Sequence, residues 1–246
     1  MPELKLPATI RALLFDLDGV LTQTAKVHAA AWKQMFDEYL RERAARTADA
    51  FVEFDPVEDY DRYVDGLPRY DGVRAFLEAR GIELPQGEPT DPPAAETVDG
   101  LGNRKNELVL KLIHDQGVEP YEGSVRFVRA ARELGYPCAV VSSSTNCRDV
   151  LHVAGIEQLF EAVIDGVVAD REGLRGKPAP DAFLAGARAL HREPAQCAVF
   201  EDALAGVQAG RAGDFGLVVG VDRVGQRLGL LEHGAEIVVE DLAELL

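Results

Sequence analysis

The chain has 246 residues, 47% hydrophobic and 28% charged, which suits one or two folded domains and excludes a disordered chain. Lys plus Arg number 26 against 42 Asp plus Glu, a net charge of −16, and so acidic a surface repels nucleic-acid backbones and anionic membranes. No apolar run approaches the ~18 residues of a membrane span, and the first residues lack the charged-then-apolar layout of a signal peptide, so the cytoplasm is the expected compartment.

Taken in chain order, the first apolar run is Ala12-Leu13-Leu14-Phe15. Its length and polar bounds predict a strand buried on both faces. The region from there to about residue 120 reads as helical: Ala29 to Arg46, Val73 to Arg80 and Glu107 to Asp115 carry helical spacing. Pro85, Pro89, Pro92 and Pro93 mark a loop inside that region. The chain returns near Glu119–Gly123, and short apolar runs then recur at Cys138–Val141, Ala162–Ile164, Cys197–Phe200, Leu217–Val219 and Ile237–Val239. Helical stripes separate most of them, such as Val125, Phe127, Val128, Ala131 and Leu134. Strand–helix alternation predicts an α/β fold, a doubly wound parallel sheet with a helical domain inserted after its first strand. Cys138, Cys147 and Cys197 form no C-x-x-C pair and read as small apolar fillers.

Ligands of open α/β sheets sit at the carboxyl ends of the strands. After the first run comes Asp16-Leu17-Asp18-Gly19-Val20. Two close carboxylates repel unless a cation or a proton lies between them, and an all-oxygen site suits Mg²⁺. After Cys138–Val141 comes Ser142-Ser143-Ser144-Thr145-Asn146, an anion site or, equally, a helix cap. Gly176-Lys177-Pro178 holds a lysine in a turn before a helix, and taken alone it also reads as a solvated loop. Glu201-Asp202 is a second acidic pair after a strand. The order of these motifs carries more than any one of them.

In that order the chain resembles the haloacid dehalogenase superfamily of phosphotransferases. The stretch from Asp16 to His28, with Ala31-Trp32-Lys33, Gly66-Leu67-Pro68-Arg69, Arg104-Lys105-Asn106, Gly176–Asp181 and Glu201–Ala209, is similar to its β-phosphoglucomutase-like branch. The resemblance implies a Rossmannoid core, residues 1–22 and 119–246, and a helical cap, residues 23–118. It implies interconversion of β-D-glucose 1-phosphate and glucose 6-phosphate through a phospho-aspartate, or, as the alternative, sugar-phosphate hydrolysis. Asp16 would be the nucleophile and Asp18 the acid/base. Mg²⁺ would be held by Asp16, Asp18, Glu201 and Asp202. Ser142, Ser143 and Lys177 would hold the transferring phosphoryl group. Arg69 would grip the second phosphate, with His28, Trp32, Lys105 and Asn146 toward the sugar. His28 would meet Asp18 on cap closure. Read without the resemblance, Trp32 is a core residue and Arg69, Lys105 and His28 are surface or packing residues. The expected partner is a small sugar phosphate, taken by a monomer.

Overall fold

The computed structural model describes residues 4–47 and 50–246; residues 1–3, on which the reading of the N-terminus drew, lie outside them. The chain divides into two compact units, residues 1–24 with 118–246, and residues 25–117.

The first unit is built on six parallel strands: β1 (Ala12–Phe15), β2 (Cys138–Val141), β3 (Ala162–Ile164), β4 (Cys197–Glu201), β5 (Leu217–Val221) and β6 (Ile237–Val239). Their order is β3-β2-β1-β4-β5-β6. All the predicted strands form, and β4 and β5 run one and two residues further than their apolar runs. β1, β2, β4 and β5 are buried along their whole length, as apolar residues on both faces require. Alternate residues serve opposite layers. Ala12 and Leu14 face a cluster with Phe183, Val199, Val207 and Val218, whereas Phe15 stacks on Phe200 at 4.6 Å and meets Phe127 edge-on at 6.2 Å.

The second unit holds α1 (Ala25–Thr47), α2 (Glu58–Tyr63), α3 (Arg69–Ala79) and α4 (Val98–Gln116). α2 was not visible in the sequence because it buries none of its own residues and so has no apolar stripe. Their core is aromatic, with Trp32, Phe36, Phe54 and Phe76 in contact and Phe36 and Phe76 only 4.1 Å apart. Gly72 packs under Trp32, where a Cβ would press on the indole at 3.3 Å. The proline-rich segment is a loop, and α4 starts after it on Thr97, whose hydroxyl accepts from the Gly100 amide.

The remaining helices belong to the first unit: α5 (Glu122–Glu133), α6 (Cys147–Val153), α7 (Gly166–Glu172), α8 (Asp181–Ala189), α9 (Leu204–Ala212) and α10 (Arg227–Glu232). α5 covers the Phe15 face through Phe127, and α8 and α9 cover the other through Phe183 and Val207. Among the described residues no helix is long and apolar enough to cross a membrane.

Candidate active site

Because β1 lies between β2 and β4, the chain winds away from it in both directions. The crevice of such a sheet opens at that reversal, above the end of β1. Phe15 pairs with Val140 on one side and Phe200 on the other, so Asp16 emerges between the loop after β2 and the loop after β4. Its amide donates to the Phe200 carbonyl at 2.9 Å. The chain then coils tightly: the Leu21 and Thr22 amides both reach back to the Leu17 carbonyl at 2.9 Å, and Gly19 has φ +85. Only glycine takes that conformation readily, and a Cβ there would overlap the Asp202 carboxylate.

Lys177 lies between two acids, its Nζ donating to Asp16 Oδ1 at 2.5 Å and Glu201 Oε1 at 2.6 Å. Lys177 and Glu201 are fully enclosed, and Asp16 is 7% exposed. Burial works against the Lys177 charge, but the carboxylates of Asp16 and Glu201 outweigh it and hold the ammonium above the usual lysine range. Burial pushes the Asp16 carboxyl up, and Lys177 opposes that shift. Glu201 accepts on both oxygens, the second from the Ala203 amide at 2.8 Å. It thus contributes charge and anchors Lys177. Oxygens of Asp16, Glu201 and Asp202 nevertheless lie within 4.8 Å of one another. Counting Asp18, four acids gather here with the Lys177 ammonium among them. That surplus of negative charge, with the glycine that leaves room for Asp202, fits a divalent cation.

Asp18 accepts a short hydrogen bond from the Thr24 hydroxyl, and Thr24 meets the Thr22 hydroxyl at 2.8 Å. Both threonines are buried, a polar pair that the motifs alone do not flag. Ser142, at the tip of β2, is buried and its Oγ accepts from the Ser144 amide at 3.1 Å. Ser143 is half-buried, and Asn146 is buried just before α6. The loop after β5 also went unrecognised in the sequence. Arg223 donates to the Gly19 carbonyl at 2.8 Å, and Gln226 to the Asp202 carbonyl at 3.0 Å. The signal that could have found both is their place in the loop that follows an apolar run, Leu217–Val219.

In the helical unit, Lys105 is 6% exposed. Its Nζ sits 3.0 Å from His28 Nδ1 and 4.7 Å from the Trp32 ring centroid. Trp32 is 2% exposed, stacks on Phe36 and lies under the Lys105 ammonium. Arg69 is the first residue of α3, with its guanidinium over the Tyr70 ring.

The sequence profile of the haloacid dehalogenase-like hydrolases matches residues 10–214. The chain is 56% identical over 246 residues to a β-phosphoglucomutase of Mycobacterium bovis and Mycobacterium tuberculosis, covering 99% of this chain and 94% of that protein. It is 30% identical over 218 residues to a fructose-1-phosphate phosphatase of Escherichia coli, covering 88% and 96%. Its fold superposes on a β-phosphoglucomutase of Clostridium difficile with a TM-score of 0.75 at 24% identity, over 96% and 93% of the two chains. The chain is an enzyme of the haloacid dehalogenase-like hydrolase family and belongs to its β-phosphoglucomutase-like branch.

Proposed function

We propose that this enzyme interconverts β-D-glucose 1-phosphate and glucose 6-phosphate through a phosphorylated Asp16. The observation that carries the chemistry is the Lys177–Asp16 contact of 2.5 Å at the end of β1. With Oδ1 held by Lys177, Oδ2 is the oxygen left to form the bond to phosphorus. The bond from phosphorus to the sugar oxygen breaks, and that oxygen takes a proton from Asp18. The donor in this first half is the 1,6-bisphosphate, so giving up its 1-phosphoryl group leaves glucose 6-phosphate. In the second half the 6-hydroxyl of β-glucose 1-phosphate attacks phospho-Asp16 and returns its proton to Asp18, and the bond from phosphorus to Oδ2 breaks, which restores the carboxylate and the bisphosphate. Thr24, bonded to Asp18, fixes where that proton is exchanged. Ser142 and the backbone at Ser143 bind the phosphoryl oxygens, and Lys177 offsets the charge that develops between two anions.

Asp16, Asp202 and the Asp18 main-chain carbonyl would hold Mg²⁺, with Glu201 as a fourth contributor; when bound, the ion would neutralise phosphoryl oxygens. Arg69 contacts the non-reacting phosphate, and Lys105, His28, Trp32 and Asn146 the sugar side. Similarity to the β-phosphoglucomutase of the two mycobacteria supports the substrate. Similarity to the fructose-1-phosphate phosphatase supports hydrolysis as the second reading, since the same core would serve if water replaced the sugar hydroxyl. The test is a product assay. The enzyme, Mg²⁺, β-glucose 1-phosphate and a trace of the 1,6-bisphosphate are followed by phosphorus NMR. Glucose 6-phosphate is the expected product; a predominance of inorganic phosphate would establish the phosphatase instead.

A further inference from the structure

Arg69 does not stand alone on α3. Its Cζ lies 4.8 Å from the centroid of the Tyr70 ring, and its Nη2 donates to the Tyr70 hydroxyl at 3.1 Å. Its Nε is buried and makes no hydrogen bond among the described residues. The Tyr70 hydroxyl in turn donates to Asn103 Oδ1 at 2.9 Å. Asn103 Nδ2 donates to the carbonyls of Pro89 and Asp91 at 3.1 and 2.9 Å. The polarity of this row is set throughout. Two carbonyls require the amide nitrogen of Asn103, which turns its oxygen toward Tyr70. The single hydroxyl proton of Tyr70 goes to that oxygen and leaves a lone pair for Arg69. The Tyr70 ring also lies against Gly102, where a Cβ would overlap it.

We propose that Tyr70, oriented by Asn103 and through it by the proline-rich loop, is a positioning residue that presets the Arg69 guanidinium. With one face on the ring and one Nη bound, the guanidinium is held as a planar fork whose remaining N–H groups, Nε included, are kept for a phosphate dianion. Holding a long flexible side chain before the ligand arrives removes ordering cost from binding. The loop that this chain carries between α3 and α4 thereby becomes a specificity element. The inference rests on the reading of Arg69 as the contact of the non-reacting phosphate.

The experiment is a double-mutant cycle on the full enzyme with β-glucose 1-phosphate and its bisphosphate. Tyr70→Phe keeps the ring and removes the hydroxyl. It is expected to raise KM about tenfold while kcat changes less than about twofold, the scale of a hydrogen bond to a charged group. In an Arg69→Ala background the same substitution is expected to move KM by less than about twofold, because nothing remains to be positioned. Asn103→Ala should reproduce the KM effect of Tyr70→Phe, and both variants should melt within a few degrees of the parent. A Tyr70→Phe enzyme with parental KM, or one whose loss is as large without Arg69 as with it, overturns the positioning role. If Arg69→Ala itself leaves KM unchanged, the reading of Arg69 fails first and the proposal falls with it.

Discussion

Lys177 and Asp16 are 161 positions apart in the chain, and their side chains meet at 2.5 Å inside the protein, with Glu201 on the other side of the same ammonium. A buried charge without a partner is far costlier than a buried pair. Lys177→Met is therefore expected to lose about 3–5 kcal/mol of stability at neutral pH, because it strands two enclosed acids. Turnover should fall at least ~100-fold with the lost phosphoryl contact. Adding Glu201→Gln should restore part of the stability and none of the turnover. Urea unfolding and steady-state kinetics on the two variants separate these effects; parental turnover in Lys177→Met would end the assignment.

Two glycines make room for the acids. Gly206 lies in the first turn of α9, where alanine normally stabilises a helix by about 1 kcal/mol. Here a Cβ would overlap the Glu201 carboxylate. The expected sign is thus reversed: Gly206→Ala should lower the melting temperature and displace Lys177. Gly19→Ala should do more harm, because its φ of +85 adds backbone strain to the overlap with Asp202. A melting temperature raised by Gly206→Ala would show that Glu201 is not seated as described.

Much of this was legible beforehand, for physical reasons. Strands buried on both faces announce themselves as apolar runs, as β1, β2, β4 and β5 do, and the shorter, partly exposed β3 and β6 carry apolar runs too. Acidic side chains at strand ends follow from the geometry of open sheets, as with Asp16 and Glu201, whereas Lys177 lies in a turn before α8 and joins them only through the family resemblance. Contacts made through main-chain carbonyls leave no such trace. Arg223 and Gln226 hold the acidic loops by carbonyls, which every residue has, so no residue type on the other side flags them. Trp32 shows another limit: an aromatic residue at helical spacing reads the same whether or not it also faces a ligand, and its stack on Phe36 shows only that it belongs to the aromatic core.

The thiols give a pH test. Burial pushes Cys138 from 9.0 up to about 12, and Cys197 from 9.0 up to about 11. A group whose pKa is higher folded than unfolded binds its proton more tightly when folded. Its contribution is whole below pH ~9 and is lost as the pH climbs through the folded values, at up to ~1.4 kcal/mol per pH unit for each thiol. Stability measured by urea unfolding should therefore decline between pH 9 and 11 more steeply in the parent than in a Cys138→Ala/Cys197→Ala variant. Equal slopes would show that neither thiol resists ionisation. Native protein at pH 8 should also leave both thiols unreacted with a disulfide reagent.

The loop after β5 provides the last test, because it touches both acidic loops without supplying an acid to either. Arg223 Nε donates to the Gly19 carbonyl at 2.8 Å and Nη1 to the Glu240 carbonyl at 2.7 Å, while the guanidinium lies 3.6 Å from the Tyr121 ring centroid. Planar, forked donation of this kind cannot be copied by a point charge. Arg223→Met keeps an apolar stem over Tyr121 and removes the donors, leaving the loop that carries Asp16 and Asp18 less firmly held. Expected is a fall in kcat of ~10–100-fold, the worth of one or two hydrogen bonds to a charged group, with KM nearly unchanged because no substrate contact is removed. Arg223→Lys should fall between the two. The Mg²⁺ concentration for half-maximal activity should rise in the same order, since the Asp18 carbonyl belongs to the loop that is loosened. A variant that melts earlier yet retains parental kcat and Mg²⁺ response at low temperature would reduce Arg223 to a brace of the fold.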